Sequence, residues 1–264
     1  MAIKAELLTE ITEREALRYV NDDNYGCEEK HNGERKIVYK TASGISTTNR
    51  DGEPSTHLLP VHVINALRNH PLPTFTIDIE FEKGIVVVLD VLNLGGLEFS
   101  GQKYSKRKEA AILAFENRSQ LVTVAKTITG KAAKAAFILA KKAEKAEGVC
   151  FKKLDAPYKP GKNGQHLKLK FWKSLDCVVT APNAEGHNSV EVSLYNKQGR
   201  LQRICGVSLN GKEPVRIGDV IEIDYLYGTA KLEVVQPNLV RVRDDKKPEQ
   251  CTIDQIQVNK NFRR

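Results

Sequence analysis

A lysine becomes a nucleophile only where something strips its proton, so a lysine in a polar, glycine-containing turn beside other cations is a natural starting point. The segment EEKHNGER, Glu28 to Arg35, holds such a lysine at Lys30. The chemistry it suggests is attack by an amine whose pKa is lowered by neighbouring cations such as Arg35. Downstream, in order, stand Arg50-Asp51-Gly52, Asp78-Ile79-Glu80, Leu89-Asp90 and Glu147-Gly148-Val149-Cys150-Phe151-Lys152. His166-Leu167-Lys168-Leu169-Lys170 and Arg243-Asp244-Asp245-Lys246 complete the series. A reacting phosphoryl centre gathers negative charge, which lysines, arginines and Mg²⁺ placed around it stabilise. Carboxylates with few soft ligands suit Mg²⁺ or Mn²⁺.

These residues must be positioned by the elements around them. The first twenty residues read as one amphipathic helix, with Leu7, Leu8, Ile11, Ala16, Leu17 and Val20 roughly on one face. The Asn-, Asp- and Gly-rich stretch that carries Lys30 reads as a loop followed by strands and turns. A helix is expected over His62–Asn69, ended by Pro71. Two strands follow, Thr74–Glu82 and Gly84–Leu92, joined by a Lys-Gly turn. Helices are expected over Lys106–Glu116 and Gly130–Ala146. The second is fringed by Lys131, Lys134, Lys141, Lys142 and Lys145, which read as a solvated face. Two strands then flank a lysine-rich loop with Pro and Gly. Beyond Lys173 the texture changes to short strands between turns, suited to a small barrel of the OB kind. The boundary falls near Lys173–Asp176.

The chain has 264 residues and a formal net charge of +8, which favours a polyanionic partner such as nucleic acid. Its length suits one or two domains with packed cores. The five cysteines show neither a CxxC pair nor zinc spacing. They read as reduced thiols, which points to the cytoplasm. The acid-bearing first residues do not read as a signal peptide, and no apolar run approaches the length of a membrane span.

The ordered motifs resemble the covalent nucleotidyltransferase superfamily, and ATP-dependent DNA ligases most closely, whose series is KxDG, RxG, DGE, an aromatic before an aspartate, EGVVFK, KxK and RxDK. The resemblance runs from Tyr25 nearly to the end. It implies an α+β architecture: a nucleotidyltransferase (adenylation) domain of antiparallel sheets flanked by helices over 1–174, then an OB-fold β-barrel over 175–264. It implies that Lys30 attacks the α-phosphate of ATP and holds AMP through a phosphoramide. Glu28 lies where the family contacts the adenosine, and Leu89 takes the place of the aromatic on adenine. Arg35 and Arg50 would touch the AMP or the 5′-phosphate of a nick, with Lys152 also in the nucleotide site. Glu80 and Glu147 would position the ribose and the metal, Mg²⁺ or Mn²⁺. Lys168 and Lys170 would bind the α-phosphate. Arg243, Asp244 and Lys246 would orient the pyrophosphate leaving group. The implied partner is nicked double-stranded DNA, bound by a monomer, with no membrane.

Three positions depart from the family pattern. Asn32 replaces the KxDG aspartate, which alters the charge and hydrogen bonding near Lys30. Ile79 replaces the DGE glycine and suggests a different backbone path. Leu89 gives burial without stacking. The alternatives left open are an RNA ligase or other adenylating enzyme of the superfamily, and a decayed ligase that only binds nucleic acid. The additional N-terminal DNA-binding domain of large ligases is not expected. Lys159, Lys162, Arg200, Arg203, Lys260, Arg263 and Arg264 are then the candidates for gripping a duplex. Asp90 reads as structural. Trp172 and Phe171 read as packing residues, Tyr225 and Tyr227 as part of the barrel, and His31, His57 and His187 have no role.

Overall fold

A computed structural model describes residues 3–182 and 187–259, so the candidate contacts Lys260, Arg263 and Arg264 lie outside the described residues. The chain divides into two compact units, Met1–Lys170 and Phe171–Arg264.

The first unit runs β1 (Glu6–Glu10), α1 (Glu13–Val20), β2 (Tyr25–Glu29), β3 (Glu34–Thr41), β4 (Gly44–Asn49), α2 (Val61–Arg68), β5 (Phe75–Glu82), β6 (Ile85–Leu94), β7 (Leu97–Glu98), α3 (Tyr104–Phe115), β8 (Val122–Val124), α4 (Lys131–Ala143), β9 (Gly148–Lys153) and β10 (Gly161–Lys170). One sheet has the order β1-β10-β9-β2; the other is β4-β3-β5-β6-β7, with β8 added against β6. The architecture is mixed α and β, with more strand than helix. The sheets are not wholly antiparallel, since β1 pairs parallel to β10 and β8 parallel to β6.

The single N-terminal helix expected from periodicity is corrected. Glu6–Glu10 is a strand, because its backbone pairs with β10. The helix starts only after Thr12, where a capping box forms: Glu15 N–H donates to Thr12 Oγ1 (3.2 Å) and Thr12 N–H to Glu15 Oε2 (2.7 Å). The Lys-Gly turn between β5 and β6 has both residues at positive φ, 51° at Lys83 and 82° at Gly84. That is the twist a two-residue hairpin favours. Strand alternation in β5 sends Ile77 and Ile79 into a core with Val63, Leu67, Phe75, Ala111 and Phe115. Each such buried side chain contributes about 1.5–3 kcal/mol. Asp78 and Glu80 therefore turn to the opposite face. Ile79, at the family's glycine position, is a core residue in a strand regularly paired to β3. The backbone departs from regularity only toward β6, where the register shifts between Asp78 and Ile79.

The lysine fringe of α4 is not uniformly solvated. Lys134 is fully buried, and its ammonium donates to the carbonyls of Tyr19 (3.0 Å), Asp22 (2.7 Å) and Tyr25 (2.9 Å). It thereby ties α4 to the segment that leads into β2.

The second unit contains β11 (Lys173–Pro182), β12 (Ser189–Tyr195), β13 (Leu201–Ser208), β14 (Val220–Tyr225), β15 (Tyr227–Gly228), β16 (Val234–Val235) and β17 (Asn238–Val242). Its main sheet is five-stranded, β13-β12-β11-β14-β17, with antiparallel neighbours. The core includes Cys177, Val179, Val192, Leu194, Ile204, Val207, Ile221 and Ile223. Tyr225 and Tyr227 are buried in this unit. No helix among the described residues is long and apolar enough to cross a membrane.

Candidate active site

The first unit contains a cavity of about 680 Å³, lined from both of its sheets, within the range of small-molecule sites. Lys30, Arg35, Arg50, Glu28, Glu80, Leu89, Lys152 and Lys168 all border it. Strand register explains why residues so far apart in sequence meet. In the β2–β9 pair, Glu29 lies opposite Val149, and Lys30 N–H donates to the Gly148 carbonyl at 3.0 Å. Lys30 is thus beside Glu147, and its Nζ reaches Glu147 Oε1 at 2.6 Å.

This pairing corrects the expected electrostatics of Lys30. Burial alone presses the ammonium toward the neutral amine, but the Glu147 carboxylate outweighs it and the pKa is raised, not lowered. Arg35 does not lower it either. Its guanidinium is engaged by Asp78, with Nε to Oδ1 at 2.9 Å and Nη2 to Oδ2 at 2.7 Å. Asp78 also accepts from the Tyr158 hydroxyl at 2.8 Å. Glu80 accepts from Gly33 N–H at 2.9 Å, and burial pushes its carboxyl up. Arg50 is largely exposed at the cavity edge, 3.5 Å from Asp51. Lys168 and Lys170 project to one side of β10, with ammonium groups 3.5 and 3.6 Å from Glu10. Lys152 is buried and lies over the Tyr104 ring, 5.4 Å from its centroid.

Two glycines are required here by close approach, not by φ. A Cβ on Gly33 would stand 2.2 Å from the Phe81 carbonyl oxygen, and one on Gly148 would stand 2.1 Å from that of Leu169. Gly148→Ala is therefore expected to push β9 from β10 and lower stability by about 1–3 kcal/mol. A urea unfolding midpoint equal to that of the parent would contradict the close packing.

Glu147 is almost fully buried, and its Oε2 has no hydrogen-bond partner. A buried carboxylate oxygen without a partner is costly unless a ligand completes it. Glu147 and Glu80 offer oxygen donors of the kind Mg²⁺ takes. No cluster of three or more His, Cys, Asp or Glu side chains that could hold a metal exists among the described residues. The donor set fits an ion bound by one or two carboxylates, with water and substrate phosphates supplying the rest.

In the second unit Asp176 joins two of the expected cations. Its Oδ1 accepts from Arg243 Nη1 at 2.9 Å and its Oδ2 from Lys246 Nζ at 2.6 Å. The second carboxylate on Arg243 is Asp245, at 2.8 and 2.9 Å, whereas Asp244 is exposed. Arg203 pairs with Glu191 at 2.9 Å, while Lys159, Lys162 and Arg200 are exposed.

Sequence reasoning missed Asp78, Tyr104, Lys108, Thr127, Asp176 and Asp245. One signal was available: Tyr104 and Lys108 stand one turn apart on α3, with Arg107 between them, and one helix face is a poor place for three solvated polar groups to be accidental. Asp176 carried no such signal.

No protein-family model matches the chain. A curated relative, DNA ligase C1 of Mycolicibacterium smegmatis, is 25% identical over 219 residues, 66% of this chain and 62% of its own length. The chain thus spans 62% of the length of that relative. Among solved structures, a mycobacterial DNA ligase D complexed with ATP and MES is similar at 20% identity, covering 95% of this chain and 98% of that one, with a TM-score of 0.56. A Lig E DNA ligase, described as binding DNA with a minimal scaffold, gives a TM-score of 0.67 at 15% identity, covering 92% of this chain and all (100%) of its own. These likenesses establish a fold shared with ligase structures.

Proposed function

We propose that this chain is an ATP-dependent DNA ligase that seals nicks bearing 3′-hydroxyl and 5′-phosphate ends, of the kind DNA replication, repair and recombination produce. The observation that carries the reading is the Lys30–Glu147 pair, 2.6 Å apart at the edge of a cavity lined with Arg35, Glu80 and Lys168. The ordered motifs and the similarity to DNA ligase C1 support it. In this reading residues 1–174 form the adenylation domain and 175–264 an OB-fold domain. The five-stranded antiparallel sheet of the second unit supports the latter. The protein acts as a monomer in the cytoplasm; five buried, unpaired cysteines suit a reducing compartment.

The Lys30 amine, once deprotonated, attacks the α-phosphorus of ATP. A P–N bond forms, the bond to the β-phosphate oxygen breaks, and pyrophosphate leaves. A 5′-phosphate oxygen of the nick then attacks the same phosphorus, and Lys30 departs as an amine. The 3′-hydroxyl finally attacks the adenylated 5′-phosphate, losing its proton and expelling AMP. Arg35, Arg50, Lys168 and Lys170 balance the negative charge that gathers on phosphorus oxygens. Glu28, Leu89 and Lys152 form the nucleoside side of the site. Arg243 and Lys246, held by Asp176, orient the leaving pyrophosphate, with Asp244 beside them. Glu80 and Glu147 would hold Mg²⁺ or Mn²⁺, which would supply charge neutralisation at the phosphates.

Incubation with α-labelled ATP and Mg²⁺ followed by denaturing electrophoresis tests the reading. A label that survives denaturation is expected in the parent and is expected to be absent from Lys30→Ala. An unlabelled parent would overturn the proposal. Nicked DNA is expected to be sealed in preference to nicked RNA, and the reverse preference would assign the chain to RNA joining.

A further inference from the structure

The turn that follows Lys30 is tied to β5 by carboxylates. β2 ends at Glu29 and β3 begins at Glu34, so the strand ladder does not hold residues 31–33. Glu34 lies opposite Phe81, which brings the turn alongside the end of β5. Strand alternation puts Glu80 and Glu82 on one face there. Glu80 takes the Gly33 N–H at 2.9 Å. Glu82 takes the Asn32 N–H, and its Oε2 lies 3.3 Å from His31 Nδ1. His31, to which spacing assigned no role, borders the cavity. The His31 hydrogen bond outweighs burial and holds the Glu82 carboxyl below the usual carboxylate range, with Lys83 and the Asn32 N–H acting in the same direction. An ionised carboxylate only accepts, so His31 Nδ1 carries the proton. The side chains of His31 and Glu82 are 19% and 15% exposed, so water and salt screen this pair less than a surface pair.

Lys30 is held on its other side by β9, with its N–H on the Gly148 carbonyl at 3.0 Å. On the reading that Lys30 is the nucleophile, we infer that His31 and Glu82 are positioning residues, a clamp that fixes the turn after Lys30 and so aims its amine at phosphorus. With Asn32 where the family pattern has an aspartate, Glu82 supplies a carboxylate to this turn from β5. A lysine stem is flexible, so its amine is aligned only when the backbone on both sides of the residue is fixed. Misplacement by about 1 Å can cost on the order of a hundredfold in rate. Glu82 is not among the residues lining the cavity, so its effect reaches the nucleotide only through the turn. The clamp therefore acts on attack and not on ATP binding.

Single-turnover labelling with α-labelled ATP at saturating nucleotide reads the attack. Titration calorimetry without divalent cations, where nucleotide is not consumed, reads ATP binding. His31→Ala is expected to slow labelling about tenfold and to leave ATP affinity unchanged. Two further variants separate the ring nitrogens, because an asparagine amide nitrogen takes the place of Nδ1 and a glutamine amide nitrogen that of Nε2. His31→Asn is expected to recover most of the rate and His31→Gln little of it. Glu82→Ala is expected to slow labelling at least as much as His31→Ala. Adding His31→Ala to it is expected to cost nothing more, because both act through one contact. Parental rates in the single variants would overturn the clamp, as would rate and affinity falling together, the mark of a merely structural role. Recovery by Gln and not by Asn would also overturn it, by placing Nε2 on the nucleotide. Hydrogen exchange at the Asn32 amide needs no nucleotide: it is expected to quicken in Glu82→Ala, and a parental rate would overturn the clamp. Quickened exchange in a chain that never acquires the covalent label would overturn the ligase reading and leave the clamp standing.

Discussion

Exchanging Glu147 for Gln is expected to make Lys30 more reactive toward an amine-acylating reagent and, at the same time, about a hundredfold slower toward ATP, the scale of losing one preorganised charged group. The two effects have opposite signs because Glu147 does two things. In the free chain it holds Lys30 protonated: burial favours the neutral amine, and the carboxylate reverses that preference. Removing the charge leaves burial dominant, so the Lys30 pKa falls and the neutral fraction near about pH 8 rises. In the proposed reaction with ATP, the same substitution replaces with an amide the carboxylate assigned above to the metal. Acylation of Lys30, followed by peptide mass spectrometry across a pH series, reads the first effect. Single-turnover labelling reads the second. A Lys30 that acylates no faster in Glu147→Gln would show that the ion pair does not control its proton.

The linkage has a definite direction. Lys30 has a folded-state pKa above its unfolded value. The stability contributed by its pair with Glu147 is therefore fully present below about pH 10.4, the ordinary lysine value, and is lost as pH rises through the folded-state value. Between pH 6 and 9 the pair should not contribute to any pH dependence of unfolding. The pH dependence of labelling arises instead from deprotonating the nucleophile, and it rises with pH over that window.

The parts of the site that were legible in the sequence are those set by short spacing. Lys30, Glu80 and Lys168 each lie in a local motif, and strand alternation or register then brings them to one cavity, with Glu147 paired to Lys30 beside it. The electrostatic sign of Lys30 was not legible. It depends on a carboxylate that is adjacent only through the β2–β9 register. The buried Lys134 was misread for the same reason: it looks like a solvated helix charge in sequence, and backbone carbonyls supplied by a distant segment make its burial tolerable. Asp244 and Asp245 are neighbours of one type. Spacing could not separate them, whereas the local geometry turns Asp245 onto Arg243. The first helix was over-extended because Leu7 and Leu8 satisfy a helical stripe and also line the cavity from a strand.

Asp90→Ala is expected to lower unfolding stability by about 3–5 kcal/mol, because it leaves a permanently charged guanidinium buried without its partner. Arg107 has no exposed surface. Its Nε and Nη2 donate to Asp90 Oδ1 and Oδ2 at 2.8 and 2.8 Å, and Nη1 donates to the carbonyls of Gln102 (2.6 Å) and Ala156 (2.9 Å). Asp90 Oδ1 also accepts from Val91 N–H at 2.9 Å. Arginine cannot escape the cost by losing its proton. The double replacement Asp90→Leu with Arg107→Met is expected to recover much of the loss, since it removes both charges and fills similar volume. Urea midpoints of the single and double variants measure this, and a double variant no more stable than Asp90→Ala would refute the account. The consequence reaches the cavity, because Arg107 lies between Tyr104 and Lys108 on α3. A helix that shifts to hydrate its guanidinium carries with it Tyr104, whose hydroxyl donates to Glu28, and Lys108, whose Nζ lies 3.2 Å from the same carboxylate. Asp90→Ala is therefore expected to weaken nucleotide binding although Asp90 is not among the residues lining the cavity. Asp90 thereby anchors the helix whose Tyr104 and Lys108 hold Glu28 at the cavity.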